Sequence, residues 1–134
     1  VQTCALPISV GKKYDGDVSA NEFISYTPTI RASSGTITSY TSSGYYKYYG
    51  NTLEFYVVAT ITNNGTGAGS LIASLPFATL STSPSFTAYG VSGSKSLCAT
   101  AGPGAVTEFS INLYDSTYPV ATGSVITITG TVVR

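Results

Sequence analysis

Any acid–base chemistry in this chain has to be carried by carboxylates. The sequence has no histidine, so neither a serine nor a cysteine nucleophile has an imidazole partner. With only Cys4 and Cys98 besides, no histidine–cysteine set for zinc can be assembled within the chain. No Gly-Lys-Ser/Thr follows a glycine loop, so the phosphate-cradling pattern of nucleotide hydrolases is absent. Glu54 and Glu108 both occupy polar positions of alternating segments. A glycosidase would need two such carboxyls about 5 to 9.5 Å apart, which requires their strands to be neighbours. No other cleft signal accompanies them, and each reads first as a solvated or ion-paired strand residue. Asp15-Gly-Asp17 places two carboxylates close together, well short of the six to eight oxygens of a calcium site, and reads as a turn in a linker. The expectation is a chain that is not an enzyme and has no cofactor or metal. Cys98 lies between Leu97 and Ala99 and reads as a buried, inert thiol.

Non-covalent recognition of a sugar asks less: aromatic rings for its apolar face, and a few hydroxyls, amides or carboxylates for orientation. The segment YDSTYP offers Tyr114, Asp115 and Tyr118 within one turn, where recognition residues are commonly carried. Tyr89, in FTAYGVSG, completes the set of candidate ligand-binding residues. For each of them a packing role has equal support, since buried tyrosines commonly find a hydroxyl partner. The densest aromatic stretch, GYYKYYGN from Gly44 to Asn51, is a different case. In a strand, alternate side chains point to opposite faces, which divides it into Tyr45, Lys47 and Tyr49 on one side and Tyr46 and Tyr48 on the other. Such a row does not form one flat platform, so it reads as a strand first and a binding surface second.

The elements that must position these residues are β throughout. In LEFYVVATI, Leu53, Phe55, Val57, Ala59 and Ile61 alternate with Glu54, Tyr56, Val58 and Thr60, the pattern of a half-buried strand. VTEFSINLY and SVITITGTVV repeat it, with Phe109, Ile111 and Leu113 on one apolar face and Ile126, Ile128 and Val132 on another. Pro28 marks Phe23 to Ile30 as an edge strand or the start of one. Thr36 to Tyr40 follows a turn at Gly35. Asn63 to Ser70 (NNGTGAGS) reads as a hairpin loop, with LIASLPF as the returning strand; Asn64-Gly65-Thr66, formally a glycosylation acceptor, is simply its turn. No segment shows a helical stripe. About eight short strands at regular spacing predict an all-β antiparallel domain of β-sandwich or jelly-roll type.

The chain has 134 residues, 43% of them hydrophobic and 9% charged, with no net charge. That suits one folded domain, over residues 23–134, and it removes the long-range field that nucleic acid or an anionic membrane surface would feel. No apolar run approaches the roughly 20 residues that span a bilayer. Residues 10–22 carry Lys12, Lys13, Asp15 and Asp17 with little apolar content and read as a linker or the end of an upstream shaft. Val1 to Ile8 (VQTCALPI) match the first-frame translation of a common sequencing adapter. Residues 1–9 are therefore expected to be an artefact of an assembled environmental gene, with Cys4 spurious and natural chain upstream.

Against this background YTPTI (Tyr26 to Ile30), GYYKYYGNTLEFYVVATITN, the glycine-rich segment after it and SLPF (Ser74 to Phe77), in that order, resemble the C-terminal domains of bacteriophage tail fibres and tailspikes. Ser74 stands where the family usually has Gly, Lys47 sits one position early, and Tyr49 fills a place more often aliphatic. The resemblance implies β-sandwich domains that assemble as parallel homotrimers at a fibre tip, follow an upstream shaft and contact lipopolysaccharide or capsule on the host. It places the chain in a virion, from a phage or prophage. Tyr56 and Val58, apolar on a nominally polar face, also suit a surface that a neighbouring subunit covers. Two other readings stand beside glycan binding: a purely structural trimerisation cap, and a monomeric carbohydrate-binding module of a secreted polysaccharide enzyme.

Overall fold

The computed structural model describes residues 22–78, 86–92, 94–101 and 106–133, with only the backbone described at 86–89. The proposed artefact, the linker with its Asp15-Gly-Asp17 turn, and Cys4 lie outside the described residues. Within them the chain forms nine strands and no helix: β1 Ile24–Tyr26, β2 Ile30–Ser34, β3 Ser39–Tyr49, β4 Thr52–Asn63, β5 Ala68–Ser74, β6 Phe86–Ser92, β7 Lys95–Thr100, β8 Glu108–Leu113 and β9 Val125–Val133. All pairings are antiparallel, in the single-sheet order β1-β3-β4-β9-β6-β7-β8-β5-β2. The all-β expectation holds, and the two layers are two halves of one continuous sheet folded over on itself.

The period of two decides which face turns inward. Leu53, Phe55, Val57, Ala59 and Ile61 on β4 and Ile126, Ile128 and Val132 on β9 are buried from one half. Leu71 and Ala73, Leu97 and Ala99, and Phe109, Ile111 and Leu113 meet them from the other. Phe55 and Phe109 touch across the middle, ring centroids 5.3 Å apart. Each large side chain removed from water in this way contributes about 1.5–3 kcal/mol. Cys98 corrects the expectation of a buried thiol: it is exposed, because alternation that sends Leu97 and Ala99 inward sends the residue between them out.

Pro28 interrupts the first strand as expected, and the interruption closes the fold. β1 pairs with β3 and β2 with β5, so the short segment between them links the two free edges of the sheet. Tyr26 donates its hydroxyl to the Ser74 carbonyl at 3.4 Å, and the Thr29 amide donates to Ser74 Oγ at 2.8 Å. Ser42 Oγ donates to the Pro28 carbonyl, and the Ile30 amide donates to the Tyr40 hydroxyl at 3.2 Å. These side-chain bonds tie the two edges to each other.

Two local expectations change. Thr36 to Tyr40 is not a separate strand: β3 starts at Ser39, bends at a register shift between Ser39 and Tyr40, and runs on through the tyrosine row. Its hairpin partner is β4, turned at Gly50 with a positive φ of 58°. Asn63 to Ser70 is then not a hairpin, because β3 and β9 already occupy both edges of β4. The segment crosses to the other half of the sheet, where β5 pairs with β2 and β8. Gly65 and Gly69 supply the positive φ angles, 58° and 81°, that the crossing bends use.

Candidate functional site

The tyrosine row divides between core and solvent. Tyr46 is buried, its ring edge-on to Tyr26, Tyr48 and Phe77 at centroid distances of 5.8, 5.7 and 5.3 Å. Tyr45, Lys47 and Tyr49 face outward, as period two requires. The tight turn at Gly50 then fixes their cross-strand neighbours: Tyr45 opposite Tyr56, and Lys47 opposite Glu54. β9 extends the rows on the other side of β4, with Thr129 opposite Tyr56 and Thr131 opposite Glu54. Phe23, just ahead of β1, adds a fourth ring: Phe23, Tyr45, Tyr49 and Tyr56 are 53%, 44%, 54% and 38% exposed.

Phe23, Tyr45 and Tyr56 line a groove of about 410 Å³ together with Glu54, Phe55 and Thr129. At its margin Lys47 Nζ lies 4.4 Å from the Phe23 ring centroid, 4.8 Å from that of Tyr49 and 3.4 Å from Glu54 Oε1. The Tyr49 hydroxyl, and after it the Glu54 carboxylate, hold the ammonium above its ordinary pKa. Glu54 Oε1 is shielded from solvent, and among the described residues its close polar contact is the ion pair with Lys47 Nζ at 3.4 Å.

Of the residues singled out in the sequence, Tyr114, Asp115 and Tyr118 lie away from this groove. Tyr114 stands 76% exposed at the turn after β8. Asp115 closes that turn: its Oδ1 accepts from Thr117 Oγ1 at 2.6 Å and from the Thr117 amide at 3.1 Å. Those two bonds, the hydroxyl first, hold the carboxyl below its usual range. Tyr118 turns inward, donating to Asn64 Oδ1 at 2.7 Å, and burial raises its pKa. It also lines a smaller cavity of about 250 Å³ with Lys95, Pro119 and Ser124, to which neither Tyr114 nor Asp115 contributes. Tyr89 takes its register position on β6 opposite Thr129, in the row Tyr45–Tyr56–Thr129; its side chain lies outside the described residues.

Glu54 and Glu108 do not share a cleft. Glu108 sits in the opposite half of the sheet, on the far outer face, where it accepts two bonds from Arg31, at 2.9 and 3.1 Å. That pairing lowers its pKa. The geometry therefore assembles no two-carboxylate glycosidase site from this pair. Sequence reasoning missed Phe23 and the joint face of Tyr45, Tyr49 and Tyr56. The signal was present in two pieces, the outward half of YYKYY and Tyr56 on the polar side of LEFYVVATI. Recognising Gly50-Asn51 as the turn would have joined them.

No family model matches the sequence, and no curated protein does. Among solved structures, the Dettilon tailspike protein (gp208) superposes with a TM-score of 0.62 over 83% of this chain, at 22% sequence identity. The fold is one that a tailspike contains. The chain spans 23% of that protein's length, so the likeness is to one domain-sized portion of it. It agrees, at the level of fold, with the family that the segment Tyr26 to Phe77 resembles.

Proposed function

We propose that this chain is a domain of a bacteriophage tail fibre or tailspike that binds a host-surface glycan without cleaving it. The observation that carries the reading is the outward aromatic groove of β3, β4 and β9. Three partly exposed rings, Phe23, Tyr45 and Tyr56, line it together with the Glu54 carboxylate, and the Lys47 ammonium stands at its margin. Aromatic faces with a few fixed polar groups are what a sugar ring needs, and a surface this rich in exposed rings would cost solubility without a ligand or partner. The fold likeness supports the tailspike assignment and its virion location.

The domain works as a homotrimer joined to an upstream shaft. Val91 and Val125, each half exposed, continue the apolar outer face beyond Tyr56 and Val58, which suits a subunit boundary beside the groove. On this reading the trimerisation-cap role and glycan binding share one sheet.

The test uses lipopolysaccharide and capsule from a panel of bacteria, immobilised and in solution. Saturable retention of the protein on some of these surfaces, with no new reducing ends and no shortening of the soluble polysaccharide, is the expected result. Absence of retention on every surface, or measurable cleavage, overturns the proposal.

A further inference from the structure

We infer that the groove takes a neutral hexopyranose, stacked by its C–H face on Tyr45 and Tyr56 and hydrogen-bonded through neighbouring hydroxyls to Glu54. It selects such sugars against those bearing uronate, sialate or phosphate groups. The inference rests on the glycan-binding reading above and names the ligand class of the same site.

The charge arrangement decides the class. Among the described residues the groove lining holds one carboxylate and no cation. Lys47, a described cation at its margin, is already held between the Phe23 and Tyr49 rings and against Glu54. Freeing it to meet an anionic sugar would break a cation–π pair of contacts and an ion pair together. An anionic sugar would also face the Glu54 carboxylate rather than a free cation. A neutral sugar meets neither obstacle.

The polar groups specify what is bound. An ionised carboxylate only accepts hydrogen bonds, so its ligand must donate, and adjacent hydroxyls match its two oxygens. Oε1 is shielded beside Lys47, while the Glu54 side chain as a whole is 38% exposed and lines the groove. A donor that also draws Oε1 out satisfies an acceptor that lacks one among the described residues. The Thr129 hydroxyl, bonded to the Phe55 carbonyl only at 3.5 Å, is free to re-aim toward a ring oxygen. Tyr45 and Tyr56, directly opposite on adjacent strands, supply the rings whose negative faces attract sugar C–H groups. A volume of about 410 Å³ lies at the lower end of small-ligand sites and fits one or two sugar rings. A second copy of the chain suits the site less well, since it would need a protruding donor placed to reach Glu54.

Calorimetric titration of the full chain tests this with two probe sets: neutral gluco-, galacto- and manno-oligosaccharides, and oligogalacturonate, oligoalginate and sialyl-oligosaccharides. At least one neutral probe is expected to bind more tightly than every acidic one. Tyr45→Ala and Tyr56→Ala should each weaken it about tenfold or more, with the unfolding midpoint retained, whereas Tyr114→Ala should not. Glu54→Gln should weaken the neutral probe and narrow the gap to the acidic ones. Acidic probes binding as tightly as neutral ones, or neutral binding indifferent to Tyr45 and Tyr56, overturns the inference and leaves the glycan-binding domain standing. A folded protein that binds neither probe set nor any surface polysaccharide overturns both. A change in molecular mass on Tyr56→Ala without any change in sugar binding makes the groove a subunit contact and also overturns the inference.

Discussion

Tyr118 donates its hydroxyl to Asn64 Oδ1, which in turn holds the crossing segment through Asn64 Nδ2 and the Gly67 carbonyl, 3.0 Å apart. Tyr118→Phe should therefore lower stability by about 1 kcal/mol in urea unfolding while leaving glycan affinity unchanged. Tyrosine burial also sets the alkaline limit of the fold. Tyr26 and Tyr118 both have pKa values raised above the ordinary 10.0 by burial. A raised folded pKa leaves stability intact below about pH 10 and removes it as pH climbs further. Unfolding midpoints should fall above that pH, and Tyr26→Phe should flatten the fall. On the acid side, Glu108 and Asp115 have lowered values, held by Arg31 and Thr117 respectively. Their contribution is present above the ordinary 4.5 and 3.8 and fades as pH drops below them, weakly, because both groups face solvent. YDSTYP was legible as a turn because Asp and Ser favour one. That Tyr118 points inward was not legible, since its partner Asn64 lies far away in sequence and the two meet only once the crossing segment is in place.

At the level of elements, β9 is the seam of the fold, with β4 on one side and β6 on the other. Gly90 of β6 lies against it so closely that a Cβ would fall on the Thr127 carbonyl, with Ile128 Cδ1 2.7 Å away. Gly90→Ala should cost about 1–3 kcal/mol, the range for an overpacked site, read as a lower urea midpoint. Replacing Gly50, whose added Cβ would meet nothing within 4 Å, should instead cost only the strain of its positive φ. Strands β4, β8 and β9 were readable from alternation alone, because each has one face in the core and one in solvent. The partner of each strand was not. NNGTGAGS carries every sign of a hairpin, and what makes it a crossing is that β3 and β9 already fill both edges of β4. Competition among strands for edges is a property of the sheet and leaves no mark on the loop.

For the whole molecule, the two sheet halves cohere through Phe55 and Phe109, both essentially inaccessible. Phe109→Ala should cost about 3–5 kcal/mol, read as a lower urea midpoint. The proposed homotrimer would have a mass near three times that of one chain by light scattering, and Val91→Glu with Val125→Glu, on the apolar outer face, should shift it toward the monomer. Glycan binding at the β3–β4–β9 aromatic groove can be followed by tyrosine-selective NMR on the full chain, titrated with the surface polysaccharide that retains it. The ring resonances of Tyr45 and Tyr56 should shift and saturate together, while those of Tyr114 and Tyr118 stay in place. Saturating shifts confined to Tyr114 and Tyr118 would instead put the site at the YDSTYP turn and rule out the groove.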